Sequence, residues 1–171
     1  MKCKSLGLTV LLVAFAGLAL GQTQVSGTVK CGKPDASQPT EVGDHTDHVL
    51  FTEKGSCTWN VPLEMAGLKT TTMTLAEAVD ASGAKLQVRG YAVMTMDNGD
   101  KAYVRYQGTG ATATTPESFT GEGTWSYTGG TGKLKGIKGK GTLKSSGTSD
   151  GGFSSQIEGE YTLPAAGANG K

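Results

Sequence analysis

Helical patterning, net charge and long apolar runs are what this sequence has least of. Past residue 21 only Leu75–Ala84 (LAEAVDASGA) has helical composition, and the strongly β segment Thr70–Thr74 stands directly before it. That scarcity argues against helix bundles and against sheets built on crossover helices. The formal net charge is +1. Binding a phosphate backbone needs a net basic face, so no nucleic-acid partner is expected. The apolar run Leu6–Leu20 covers about 15 residues, short of the roughly 20 that cross a bilayer. No CxxC pair occurs, and no Pro-rich or Ser-rich linker divides the chain. A single domain is expected.

The N-terminus reads as a secretory signal. Lys2 and Lys4 precede the apolar run, and Ala19-Leu20-Gly21 places small residues before an expected cleavage near Gly21/Gln22. An uncleaved anchor is the alternative. A lipoprotein is disfavoured because Gln22 stands where the acylated cysteine would. The expected organisation is a leader over 1–21, one β-barrel domain over 22–164 and a flexible tail over 165–171. The 16 basic residues lose Lys2 and Lys4 with the leader, leaving 14 against 15 acidic ones and a formal charge of −1. The expected location is the bacterial periplasm or the extracellular space, with no membrane span in the mature chain.

Cys3 leaves with the leader, so Cys31 and Cys57 remain. An even count in an exported chain predicts a disulfide. Loop entropy puts such a bridge at about 3 kcal/mol. Free or metal-binding thiols are the rival reading.

What the sequence has in quantity is glycine, 27 in all, with abundant threonine, valine and tyrosine. This composition predicts β-structure with tight turns. Strand-like runs cover Gln24–Cys31, His48–Glu53 with Ser56–Val61, Lys69–Val79, Lys85–Met96, Lys101–Ala113, Phe119–Thr128, Lys133–Ser145 and Phe153–Leu163. Lys33–Asp47 reads as a polar loop, Asn98-Gly99 as a type I′ hairpin, and Gly129-Gly130 and Asp150-Gly151 as turns. If Lys54-Gly55 lies inside one bent strand, the strands number eight. The predicted fold is all-β: an eight-stranded antiparallel up-and-down barrel, with a two-sheet sandwich as the alternative.

Alternation supports one buried face. Phe119, Gly121, Gly123, Trp125 and Tyr127 alternate with polar residues, as do Phe153, Ile157, Tyr161 and Leu163. The odd set is expected to point inward. From Gly90 to Met96 both faces are apolar, which predicts a bulge or an outer cover such as an oligomer interface.

Trp125–Gly141, WSYTGGTGKLKGIKGKG, resembles the C-terminal hairpin of the allene oxide cyclase-like barrel superfamily, which includes the plant dirigent proteins. The shared pattern is a strand, a glycine turn and G-x-(F/L)-x-G-(I/V)-x-G. A wider likeness to uncharacterised exported bacterial proteins runs through EVGD (Glu41–Asp44), GSCTW (Gly55–Trp59), MDNGDK (Met96–Lys101) and YQGTG (Tyr106–Gly110). The superfamily resemblance implies an eight-stranded calycin-like barrel, often trimeric, whose lumen holds small hydrophobic molecules. No position outside the hairpin matches that enzyme's catalytic residues, so the resemblance carries no activity over.

Candidate ligand-contacting residues are the amphipathic rings Trp59, Tyr91, Tyr106, Trp125, Tyr127 and Tyr161, which equally suit a packed core. Tyr103 and Arg105 share a strand expected to turn that parity to water. His45 and His48, in Asp44-His45-Thr46-Asp47-His48, are weak metal-ligand candidates. Extended chain would send their rings apart, and a turn after Val42-Gly43 would bring them together. Lys133, Lys135, Lys138, Lys140 and Lys144 do not share one parity and read as solvated faces. Asp97–Asp100 lacks the later ligands of a calcium loop, and GGTGK lacks the context of a phosphate loop. No catalytic residue and no cofactor is expected. The reading favoured by the sequence is non-catalytic binding of a small hydrophobic molecule, against an isomerase or cyclase, or a structural envelope protein with a filled core.

Overall fold

The computed structural model describes residues 22–114, 117–148 and 151–165. The expected leader, most of the expected tail and Asp150 of the last turn lie outside the described residues. The strands are β1 (Thr23–Cys31), β2 (Ala36–Glu41), β3 (His48–Val61), β4 (Glu64–Met65), β5 (Leu68–Ser82), β6 (Lys85–Met96), β7 (Lys101–Thr114), β8 (Glu117–Gly130), β9 (Lys138–Thr148) and β10 (Phe153–Thr162). Eight of them close a ring in chain order, β1-β3-β5-β6-β7-β8-β9-β10, and β10 returns to β1. Each neighbouring pair is antiparallel. The barrel is closed, and the sandwich is excluded.

Beta-branched and aromatic residues at every second position explain the strands, and the inner parity supplies the core. Val25, Val29, Met73, Leu75, Met94, Val104, Trp125 and Ile157 are all buried. Cys31 and Cys57 sit opposite one another on β1 and β3 and form the expected disulfide. Among the described residues no helix is long and apolar enough to cross a membrane.

Several local expectations change. The expected strand Lys69–Val79 is longer: despite the helical composition of Leu75–Ala84, β5 runs on through Ser82 where a turn at Asp80–Gly83 was expected, because β3 and β6 offer hydrogen-bonding edges on both sides. Propensity is a weak prior against such pairing. Inside the expected loop 33–47, Ala36–Glu41 forms β2, which continues along the edge of β3 that β1 leaves at Cys57. β2 pairs with β3 and not with β10, so the barrel wall parts at that end.

The connection after β8 is also longer than a glycine hairpin. Thr131–Ile137 folds over one end through a 3-10 turn at Gly132–Leu134, burying Leu134 and Ile137 completely. Leu63, just before β4, and Met65 within it cover the same end and are both fully buried. The Asn98-Gly99 hairpin forms, but only Gly99 takes a positive φ (88°), so it is not type I′. The Asp100 carboxylate accepts bonds from Asn98 Nδ2 and the Lys133 backbone N–H, each 2.9 Å, fastening this hairpin to the 3-10 turn. These contacts, Asn98 foremost, hold the Asp100 carboxyl below its ordinary range. A two-residue turn with both φ values positive occurs instead at Ala66-Gly67 (53° and 74°).

Nor does the apolar run Gly90–Met96 bulge. The irregularity lies opposite it, in β5 between Thr70 and Thr72. Gly90, Ala92, Met94 and Met96 face in, and Tyr91 stands 62% exposed on the outer wall.

Candidate lumen site

One end of the barrel is plugged and the other leads into a cavity of about 210 Å³. Its walls are Met73, Leu75, Val88, Met94, Phe119 and Phe153 with their apolar neighbours. The lumen is therefore not filled by its aromatic rings.

A single belt of hydrogen-bonded register crosses this cavity. Glu53 on β3 faces Glu77 on β5, Glu77 faces Gly90 on β6, and Gly90 faces Tyr106 on β7. Tyr106 then faces Trp125 on β8, followed by Gly141 and Gly159 on β9 and β10. The two rings reach sideways over strands that carry no side chain. A Cβ on Gly90 would stand 2.6 Å from the Tyr106 hydroxyl, and one on Gly141 would stand 2.6 Å from the Trp125 ring. Glycine at these positions is a requirement of space. Over Gly90 the Tyr106 hydroxyl donates to Glu77 Oε2 at 2.7 Å. The Trp125 indole N–H is shared between the carbonyls of Thr142 (3.1 Å) and Glu158 (3.2 Å).

Glu77 is the polar centre of the cavity. Burial pushes its carboxyl above the ordinary range, the Tyr106 bond opposes that rise, and the Glu53 charge adds to it. Burial, followed by the Glu77 charge, also pushes the Tyr106 phenol up, so it remains a donor across the physiological range. The arrangement places a hydrogen-bonded Glu77–Tyr106 pair in a mostly apolar chamber whose lining also holds Glu53 and the bonded hydroxyls of Ser145 and Ser155. Glu77 is not among the residues the sequence singles out, although it lies within the expected strand Lys69–Val79. The signal was Met73, Leu75, Glu77 and Val79 on one face.

Of the six expected rings, Tyr106 and Trp125 line the cavity. Tyr127 and Tyr161 are buried at the plugged end, where their hydroxyls are spent on structure. Tyr127 donates to Met65 Sδ at 2.8 Å, and Tyr161 accepts from the Ala66 N–H at 2.9 Å. Burial, then the neighbouring Tyr161, pushes the Tyr127 phenol up. Trp59 packs against the core outside the cavity lining, with its indole N–H buried and unpaired among the described residues. Tyr91 is corrected outright: its neighbours Gly90 and Ala92 face inward, so alternation puts it outside. Tyr103 and Arg105 face water, as expected. The lysines of the β8–β9 segment are exposed, with Lys133 and Lys135 in the connection and the other three on the outer face of β9.

At the cavity end the β2–β3 loop does what extended chain would prevent. Asp47 adopts a left-handed φ of 62°, and the turn stacks the His45 and His48 rings with centroids 4.7 Å apart. Asp44 Oδ1 lies 3.0 Å from His45 Nδ1 and 2.5 Å from His48 Nδ1. The bond to His48 holds the Asp44 carboxyl low, and the bond to Asp44 holds the His48 imidazole high.

No protein family matches the chain, and neither does any curated protein. Among solved structures it is similar to a conserved protein of unknown function from Rhodopseudomonas palustris, at 9% identity and a TM-score of 0.47, over 84% of this chain and 99% of that one. It is also similar to a β-barrel-like protein from Acinetobacter baumannii, at 12% identity and a TM-score of 0.49, over 84% of this chain and 96% of that one.

Proposed function

We propose that the protein binds a small, largely hydrophobic molecule in the barrel lumen without transforming it. The observation that carries this reading is the mostly apolar cavity into which the Glu77–Tyr106 pair is set. An apolar cavity of roughly 150 Å³ takes up benzene, whereas drug-sized ligands fill roughly 300–1,000 Å³. A chamber of about 210 Å³ suits one ring with a short substituent. The Cys31–Cys57 bridge and the leader-like N-terminus support an exported setting.

Native mass spectrometry of protein purified from its own host, with calorimetric titration of 4-ethylphenol, tests the reading. The expected results are a co-purifying small molecule and saturable 4-ethylphenol binding that Val88→Phe, which fills the chamber, abolishes. Absence of both, or equal binding by the filled variant, overturns it. The inward Glu77 favours a second reading, an isomerase or cyclase using that carboxyl as acid or base. Unchanged turnover of the bound molecule in Glu77→Gln removes that reading.

A further inference from the structure

The chain contains only two histidines, and the β2–β3 turn brings both to one point beside Asp44. Ligand atoms from Asp44, His45 and His48 all lie within 4.8 Å of one another. We propose that these three residues form a site for a divalent late transition-metal ion such as zinc, at the open end of the barrel and independent of the lumen.

The arrangement of the outer ring nitrogens carries the proposal. Both Nδ1 atoms converge on Asp44 Oδ1, and metal binding at Nδ1 obliges each ring to keep its proton on Nε2. Each Nε2 has an acceptor waiting: Asp80 Oδ1 at 3.0 Å from His48, and Ser82 Oγ at 2.8 Å from His45. Metal-binding imidazoles characteristically donate their second N–H to a carboxylate or similar group, which fixes the tautomer and aims the ring. Asp80 and Ser82 come from the end of β5, so one strand orients both rings, which the β2–β3 loop (His45) and the first residue of β3 (His48) present. The loop is tied to that strand end by Gly83 N–H to Asp47 C=O at 3.1 Å.

Two imidazoles and one carboxylate select the ion class. Calcium and magnesium take about six or more oxygens, which this set does not offer. Zinc accepts three protein ligands with a fourth position open, at bond lengths of about 2.0–2.2 Å. Ligand atoms around a tetrahedral ion then stand about 3.3–3.5 Å apart, so both nitrogens must draw back from Asp44 Oδ1, His48 Nδ1 the further, to admit the ion. Copper(II) and nickel(II) suit the same donors.

The test is zinc titration of untagged protein by calorimetry and by ¹H NMR, where the two histidines give the only imidazole signals. The expected result is one equivalent bound and both imidazoles shifted, with magnesium inert. The double variant His45→Ala/His48→Ala, checked for an intact fold by near-ultraviolet circular dichroism, should lose at least 100-fold in affinity. Asp80→Asn, which leaves all three ligands in place, should lose about 10–100-fold. Unmoved imidazole signals at equimolar zinc, or equal zinc affinity in the double variant, overturns the proposal. Unchanged affinity in Asp80→Asn overturns the orienting role given to that residue.

Discussion

Replacing Tyr106 by Phe removes one hydroxyl and nothing else from the lumen belt, and its cost should depend on pH. That hydroxyl meets Glu77 Oε2 at 2.7 Å above Gly90. A hydrogen bond to a charged group is worth about 1.5–3 kcal/mol, and one to a neutral group about 0.5–1.5 kcal/mol. The variant should therefore lose about 1.5–3 kcal/mol where Glu77 is ionised, and about 0.5–1.5 kcal/mol in acid where it is protonated. At about 4 °C per kcal/mol the larger loss lowers the melting temperature by about 6–12 °C. The sign for Glu77 itself follows from its raised carboxyl. The unfolded chain gives up this proton first, so the group's full contribution is present below the unfolded-state value. It is lost as pH rises through the folded-state value. Glu77→Gln should flatten that component, and Tyr106→Phe should steepen it. Urea unfolding followed by tryptophan fluorescence at pH 4 and pH 8, on both single variants and the double, measures the coupling. A Tyr106→Phe cost that is equal at the two pH values and additive with Glu77→Gln would refute the assigned partnership.

Gly90→Ala should destabilise by about 1–3 kcal/mol through overpacking against the Tyr106 ring, readable as a lower urea midpoint with unchanged slope. Ala66→Gly should stabilise by about 0.5–1 kcal/mol, because a non-glycine left-handed residue costs about 1–2 kcal/mol and glycine's extra chain entropy returns part of it. A lower melting temperature in that variant would contradict the turn geometry. Reducing Cys31–Cys57, with its sequence separation of 26, should cost about 3 kcal/mol, measured as the melting-temperature difference with and without reductant.

Alternation made the barrel legible wherever the inner and outer residue types differ. Phe119–Tyr127 and Phe153–Leu163 show their buried parity in the letters alone, and the structure buries that parity. Legibility failed where local composition and long-range pairing disagree. Asp80–Ser82 were expected to turn, and the edges of β3 and β6 instead extend the strand through them. Glu77 lies within the expected strand, and its direction follows from the parity it shares with Met73, Leu75 and Val79. Tyr91 was misplaced for a different reason: glycine at 90 does not advertise itself as an inward position, although Tyr106 needs its emptiness. The histidines depended on one backbone angle at Asp47 and on partners more than 30 residues away, Asp80 and Ser82. No local pattern encodes those.

Closing the ring by pairing β1 with β10 joins the two ends of the domain, from Thr23 opposite Tyr161 to Cys31 opposite Phe153. Among the described strands this seam pairs the most sequence-distant residues, and β10 has to be synthesised before it can form. On its other side β1 is held to β3, with the disulfide at the end of their contact. A chain truncated before β10 would expose two unpaired edges at once, β1 and β9, each a template for another chain. The last strand of the ring is therefore the one that removes both edges, leaving among the described strands only the short outer side of β2 at the open end and that of β4.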